Sequence, residues 1–160
     1  MVVGIIPARI GSKRFPKKIL ADIKGKPMIV HVAERAMQSK LLEKIVIAID
    51  AEETKQALSD FDFDLVMTSK DHSSGTDRVA QVAKEINSAE IIINIQGDEP
   101  LLDPNVIDGL IQLFDDPSVS MGTVVSRNIG IKDYLDRNIV KAFLNEHQNA
   151  YDFKRDIYDI

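Results

Sequence analysis

Five cations crowd into ten residues near the amino terminus: Arg9, Lys13, Arg14, Lys17 and Lys18. Gly11 and Ser12 lie among them, and no carboxylate appears before Asp22. Loop N–H groups and cationic side chains together can share the charge of a polyphosphate. A second candidate follows the apolar run Ile91–Ile95, where Gln96-Gly97-Asp98-Glu99 turns away from it. Gly97 allows a tight turn or a close backbone approach. Asp98 then stands at a strand end. One carboxylate plus substrate phosphates is the usual protein share of a Mg2+ site. Capping of the next helix is the alternative for Asp98, but Asp103 before Pro104 is better spaced for that. The third candidate is His72-Ser73-Ser74-Gly75-Thr76-Asp77-Arg78. Its hydroxyls and N–H groups suit a sugar, base or phosphate, or else cap the helix that follows. Arg78 either faces substrate or pairs with a neighbouring acid.

These loops need strands to aim them. Val2–Ile6 reads as a buried strand that Pro7 ends. Further strands are expected at 45–49, 65–67, 91–95 and 120–125, with helices at 28–37, 51–61, 75–86 and 104–114, from apolar spacing. Residues 139–145 resemble a strand, 145–149 a hairpin turn, and the last ten residues show no clear period. Strands apolar throughout and alternating with helices indicate an α/β fold with a mostly parallel sheet covered on both faces. In such folds ligands lie beyond the carboxyl ends of the strands, where all three loops fall. The whole of 1–160 reads as a single domain.

Charge is distributed unevenly. Residues 1–26 carry seven Lys/Arg against one Asp, leaving thirteen cations against twenty-four carboxylates elsewhere. Local positive charge within a net of −5 fits a small anion and argues against a nucleic-acid partner. The absence of cysteine excludes disulfides and thiol chemistry. With no apolar run near the ~20 residues of a membrane span and no signal-peptide pattern, a cytoplasmic protein without membrane attachment is expected. The three histidines have no metal-site spacing.

IIPARIGSKRFPKKIL at 5–20, DHSSGTDR at 71–78 and NIQGDEPLL at 94–102 resemble three signatures of the 3-deoxy-manno-octulosonate (Kdo) cytidylyltransferases, and GKPMIVH and NIVKAFL are also similar to that family. The resemblance implies a Rossmann-like nucleotidyltransferase domain, Mg2+ dependence and a homodimer. The reaction implied is CTP plus Kdo giving CMP-Kdo and pyrophosphate, for lipopolysaccharide biosynthesis. It implies Arg9, Arg14 and Lys18 on the triphosphate, with Ser12 in the same loop. Pro7, Ala8, Ser74, Gly75 and Gln96 would line the nucleotide pocket. Asp98 would bind Mg2+, and Arg78 would contact nucleotide or sugar acid. Acylneuraminate cytidylyltransferases share the PAR-type opening but match less well at SGTDR and QGDEP. After Ala150, where the family shows an LYFSR-type segment, Tyr151-Asp152-Phe153-Lys154-Arg155 follows, either as a divergent version of it or because a stretch is missing between Ala150 and Tyr151. The family chain continues well past this point, so the expectation is a nucleotide half without the acceptor half.

Overall fold

The computed structural model describes residues 1–11 and 15–156. In chain order it contains β1 (Val2–Ala8), a hairpin of β2 (Asp22–Ile23) and β3 (Lys26–Pro27), α1 (Met28–Ala36), β4 (Lys44–Ile49), α2 (Glu52–Ala57) and β5 (Asp64–Met67). Then follow α3 (Gly75–Glu85), β6 (Ile91–Asn94), α4 (Pro104–Gln112), α5 (Ile131–Leu135), β7 (Lys141–Leu144) and β8 (Ala150–Lys154). The chain divides into two compact units, Met1–Gly122 and Thr123–Ile160.

The first unit is built on a four-stranded sheet in the order β5-β4-β1-β6, parallel throughout. Alternation along β1 divides its core. Ile6 and Ala8 join Ile29 and Val32 of α1 and Ile107 and Ile111 of α4. Val3 and Ile5 pack with Val79 and Val82 of α3 on the opposite face. Side chains of a strand point to alternate faces, so an unbroken apolar β1 feeds both layers. Each fully buried Ile or Val contributes about 1.5–3 kcal/mol, which makes the doubly covered β1 and β4 the anchor of the unit.

β1 does not stop at Pro7, as the sequence reading expects. It runs on to Ala8, with Pro7 opposite Ala48 and Ala8 opposite Ile49 of β4. The ladder with β6 ends earlier, at Ile5 opposite Asn94, and the Ile5 carbonyl accepts from Ile95 N–H on that side. Backbone groups alternate sides along a strand, so the nitrogen of Pro7 faces the β6 side beyond the last ladder pair. The missing donor is placed where no ladder calls for it.

Short signals set the ends of the helices. Asp103 caps α4 by accepting from Asn105 N–H at 3.0 Å, with Pro104 at its start. Glu52 and Glu53 occupy the first turn of α2, where carboxylates favour the helix dipole. Lys24 and Gly25 turn the β2–β3 hairpin with φ of 52° and 84°, the left-handed geometry a two-residue hairpin requires.

The second unit holds α5 and the antiparallel β7–β8 hairpin. Its turn is the expected one: Asn145 Oδ1 accepts from His147 and Asn149 N–H groups. The patternless tail supplies β8. Lys141 is buried and donates to the carbonyls of Asp136 and Arg155. The strand expected at 120–125 does not form: no residue there joins a ladder, and Met121 is 88% exposed.

Candidate active site

The three loops singled out in the sequence meet at Pro7. A Cβ on Gly75, the first residue of α3, would lie 3.3 Å from Pro7 Cγ. A Cβ on Gly97 would lie 3.0 Å from the Pro7 carbonyl oxygen. Two glycines, from the loops before α3 and after β6, let both backbones close on the end of β1. Ala8 beside them is fully buried, Arg9 beyond it exposed. Ala8 therefore supports the site from beneath its surface.

Ile10 fixes the cationic loop at both ends. Its N–H donates to Asp50 Oδ1 at 2.9 Å, and its carbonyl accepts from Lys17 N–H at 3.3 Å. Lys17 takes a left-handed conformation, φ 56°, and a short 3-10 turn, Lys18–Leu20, follows. Its own ammonium pairs with Glu53. Lys18 then reaches across to the loop after β6, its Nζ 2.7 Å from Asp98 Oδ2. Ser12 and Arg14, both expected at the nucleotide, lie outside the described residues.

Arg78 has its partners inside the protein. It is 1% exposed. Nη2 donates to Asp50 Oδ2 at 3.1 Å, and Nη1 to the Ser69 carbonyl at 3.1 Å and to Thr68 Oγ1. Thr68 in turn donates to the Ile49 carbonyl at 2.7 Å. Of the two readings open for Arg78, pairing with an acid is the one this geometry contains. Burial pushes the guanidinium pKa down, Asp50 raises it, and the like charge of Arg9 lowers it again.

Ser74 caps α3. It closes a capping box with Asp77, accepting from Asp77 N–H at 3.1 Å while its own N–H donates to Asp77 Oδ2 at 3.1 Å. The hydroxyls of Ser74 and Ser73 also donate to that carboxylate, and these bonds hold Asp77 below its ordinary pKa. The Gly75 and Thr76 N–H groups of the first turn are left to other acceptors. Gln96 is exposed and donates to Asn94 Oδ1 at 3.0 Å. His31 is structural, bonded to the Ile23 carbonyl at 2.8 Å.

Among the described residues no group of three or more His, Cys, Asp or Glu is placed to hold a metal. Asp98, about half exposed, is the carboxylate at the meeting of the loops. One carboxylate completed by substrate phosphates suits Mg2+ and not a metal that needs an all-protein cage. The residue that sequence reasoning missed is Asp50. Its signal was available: a carboxylate closing the apolar β4 run, too close to the core to remain unpaired.

The chain is similar to known proteins along nearly its whole length. The family profile described as Cytidylyltransferase matches residues 3–159. Proteins named 3-deoxy-manno-octulosonate cytidylyltransferase from Geobacter sulfurreducens and Pelobacter propionicus are 47% and 48% identical over 96% of this chain. The chain spans 62% and 60% of their lengths. A solved structure of CMP:2-keto-3-deoxy-manno-octonic acid synthetase complexed with CTP superposes with a TM-score of 0.88 at 39% identity, covering 99% of this chain and 66% of that one. With a parallel sheet, three loops gathered at the end of β1 and a profile match from end to end, the chain belongs to the cytidylyltransferase family.

Proposed function

We propose that this chain carries the nucleotide-binding half of an enzyme that transfers CMP from CTP to Kdo, releasing pyrophosphate, with Mg2+ as cofactor. The observation that supports it most is the Lys18–Asp98 pair, which sets a cation and a carboxylate side by side at the end of β1. Mg2+–triphosphate offers each of them a better partner. Lys18 and Arg9 take phosphate oxygens, Asp98 takes the cation, and half-buried Pro7 with exposed Gln96 faces the nucleoside, supported from beneath by Ala8. Arg14 and Ser12 extend the phosphate contacts by motif match.

The anomeric hydroxyl of the sugar acid attacks the α-phosphorus. A new P–O bond forms as the bond to the β-phosphate oxygen breaks, and the hydroxyl proton is lost to solvent. Catalysis of this kind is mostly positioning and charge stabilisation. Cations of the first loop hold the departing pyrophosphate. Asp98, together with the substrate phosphates, would hold Mg2+, which would supply charge stabilisation and acidify the attacking hydroxyl. The sugar-acid pocket, the homodimer and a cytoplasmic role in lipopolysaccharide biosynthesis come to this chain from the resemblance alone.

The test is pyrophosphate release with Mg2+, CTP and Kdo, run beside UTP, ATP and an acylneuraminate acceptor. Release confined to CTP and Kdo supports the reading. Equal release from UTP or ATP overturns the cytidine assignment, and release only with acylneuraminate overturns the acceptor. CTP binding without release assigns to this chain the nucleotide half alone.

A further inference from the structure

Asp50 and Arg78 lie behind the site and touch none of the groups that would carry the reaction, yet both are buried. The two oxygens of Asp50 are divided between two jobs. Oδ1 holds the Ile10 amide and Oδ2 holds Arg78. Ile10 is where the cationic loop starts and where Lys17 N–H returns to close it. Lys18, the next residue after the closure, is the one that reaches Asp98. On the other side Arg78 spans Asp50, Ser69 and Thr68, tying α3 to the ends of β4 and β5. The like charge of Arg9 is felt at Arg78, so Asp50 also offsets repulsion beneath the loop. A carboxylate serving only to neutralise Arg78 has no need to hold a loop amide as well.

We propose that Asp50 and Arg78 are a positioning pair that sets the cationic loop for a triphosphate and so favours nucleoside triphosphate over monophosphate. This rests on the CTP reading above. Neither residue touches the ligand; Asp50 acts through Ile10, and Arg78 acts through Asp50. Because the loop faces the β- and γ-phosphates, loosening it weakens CTP more than CMP.

The experiment is calorimetric titration of the chain with Mg2+–CTP and with CMP, for wild type, Asp50→Asn and Arg78→Lys. Hydrogen exchange is followed across residues 2–18 in the same proteins. Asp50→Asn keeps an acceptor for Ile10 but removes the charge that holds Arg78. Arg78→Lys keeps the buried charges balanced but loses the fork, and it carries the test should Asp50→Asn not fold. The expected result is a loss of about tenfold in CTP affinity, the scale seen when groups behind a site are removed, with CMP affinity held within about twofold. Exchange quickens at 9–11 and 15–18 while 2–6 stays protected. Equal losses for CTP and CMP, or a CTP/CMP ratio unmoved from wild type, overturn the inference and leave the CTP reading standing. A wild-type chain that binds neither nucleotide overturns the CTP reading and this inference with it.

Discussion

Nζ of Lys18 lies 2.7 Å from Oδ2 of Asp98, although the two residues are 80 positions apart in sequence. The side chains are 41% and 47% exposed, so water screens the pair and its contribution to stability is at most about 1 kcal/mol. Such a pair is readily exchanged for a stronger one. Lys18→Ala is therefore expected to leave the thermal midpoint nearly unchanged. It should weaken Mg2+–CTP binding by about tenfold, the scale of one charge-assisted contact at 1.4 kcal/mol. Calorimetry beside a thermal melt checks both. An unaltered CTP affinity contradicts the phosphate role of Lys18.

Gly97 and Gly109 respond oppositely to alanine. At Gly97 the new Cβ meets the Pro7 carbonyl oxygen at 3.0 Å, a backbone atom that has little room to give, and the loop must shift. A loss of about 1–3 kcal/mol follows. Gly109 lies in α4 with nothing within 4 Å of its Cβ position, so Gly109→Ala gains about 0.8 kcal/mol through helix propensity. Urea midpoints of the two variants should straddle that of wild type.

Acid unfolding should draw on Asp77 and Asp108. Both carboxyls sit below their ordinary value of 3.8: Asp77 chiefly through the hydroxyls of Ser74 and Ser73, Asp108 chiefly through the Ser39 hydroxyl, then the Lys40 and Leu41 N–H groups. A depressed folded pKa means stability that is present above 3.8 and lost as pH falls through the folded value. Asp77→Asn and Asp108→Asn should each be less stable than wild type at pH 7. Each should flatten the acid limb below pH 3.8, so that the curves converge at low pH. Urea melts from pH 7 downward check this, and a limb of unchanged steepness contradicts it.

Lys141 tests the second unit. Its buried ammonium satisfies the Asp136 and Arg155 carbonyls. Lys141→Met keeps the aliphatic length and leaves those acceptors unpaired, a cost of about 1–3 kcal/mol. Hydrogen exchange should rise within 136–156 and stay at the wild-type level in β1 and β4.

Much of the layering was legible because it is local. Val3, Ile5, Ile6 and Ala8 are apolar at every position, which is how a strand covered on both faces reads, and the strand identified from Ile91–Ile95 lies beside β1. The loops that carry Lys18, Gly75, Gln96 and Asp98 were legible as motifs, and the structure brings Gly75 and Gly97 together on Pro7. What was not legible depends on partners distant in sequence. Pro7 continues β1 because the β6 ladder has already ended on its side. Ser120–Val125 has strand composition, yet β propensity expresses itself on a paired, half-buried surface, and these residues join no ladder. Arg78 could be read toward substrate or toward an acid, and only the fold shows Asp50 beside it.

The account depends most on Asp98 as the carboxylate that takes the metal when nucleotide binds. The decisive measurement is calorimetric titration with CTP, with Mg2+ and with chelator, on wild type and Asp98→Asn. The expected result is that Mg2+ strengthens CTP binding to wild type by at least about tenfold, or 1.4 kcal/mol, and leaves binding to Asp98→Asn unchanged. An equal Mg2+ effect in the two proteins contradicts the account.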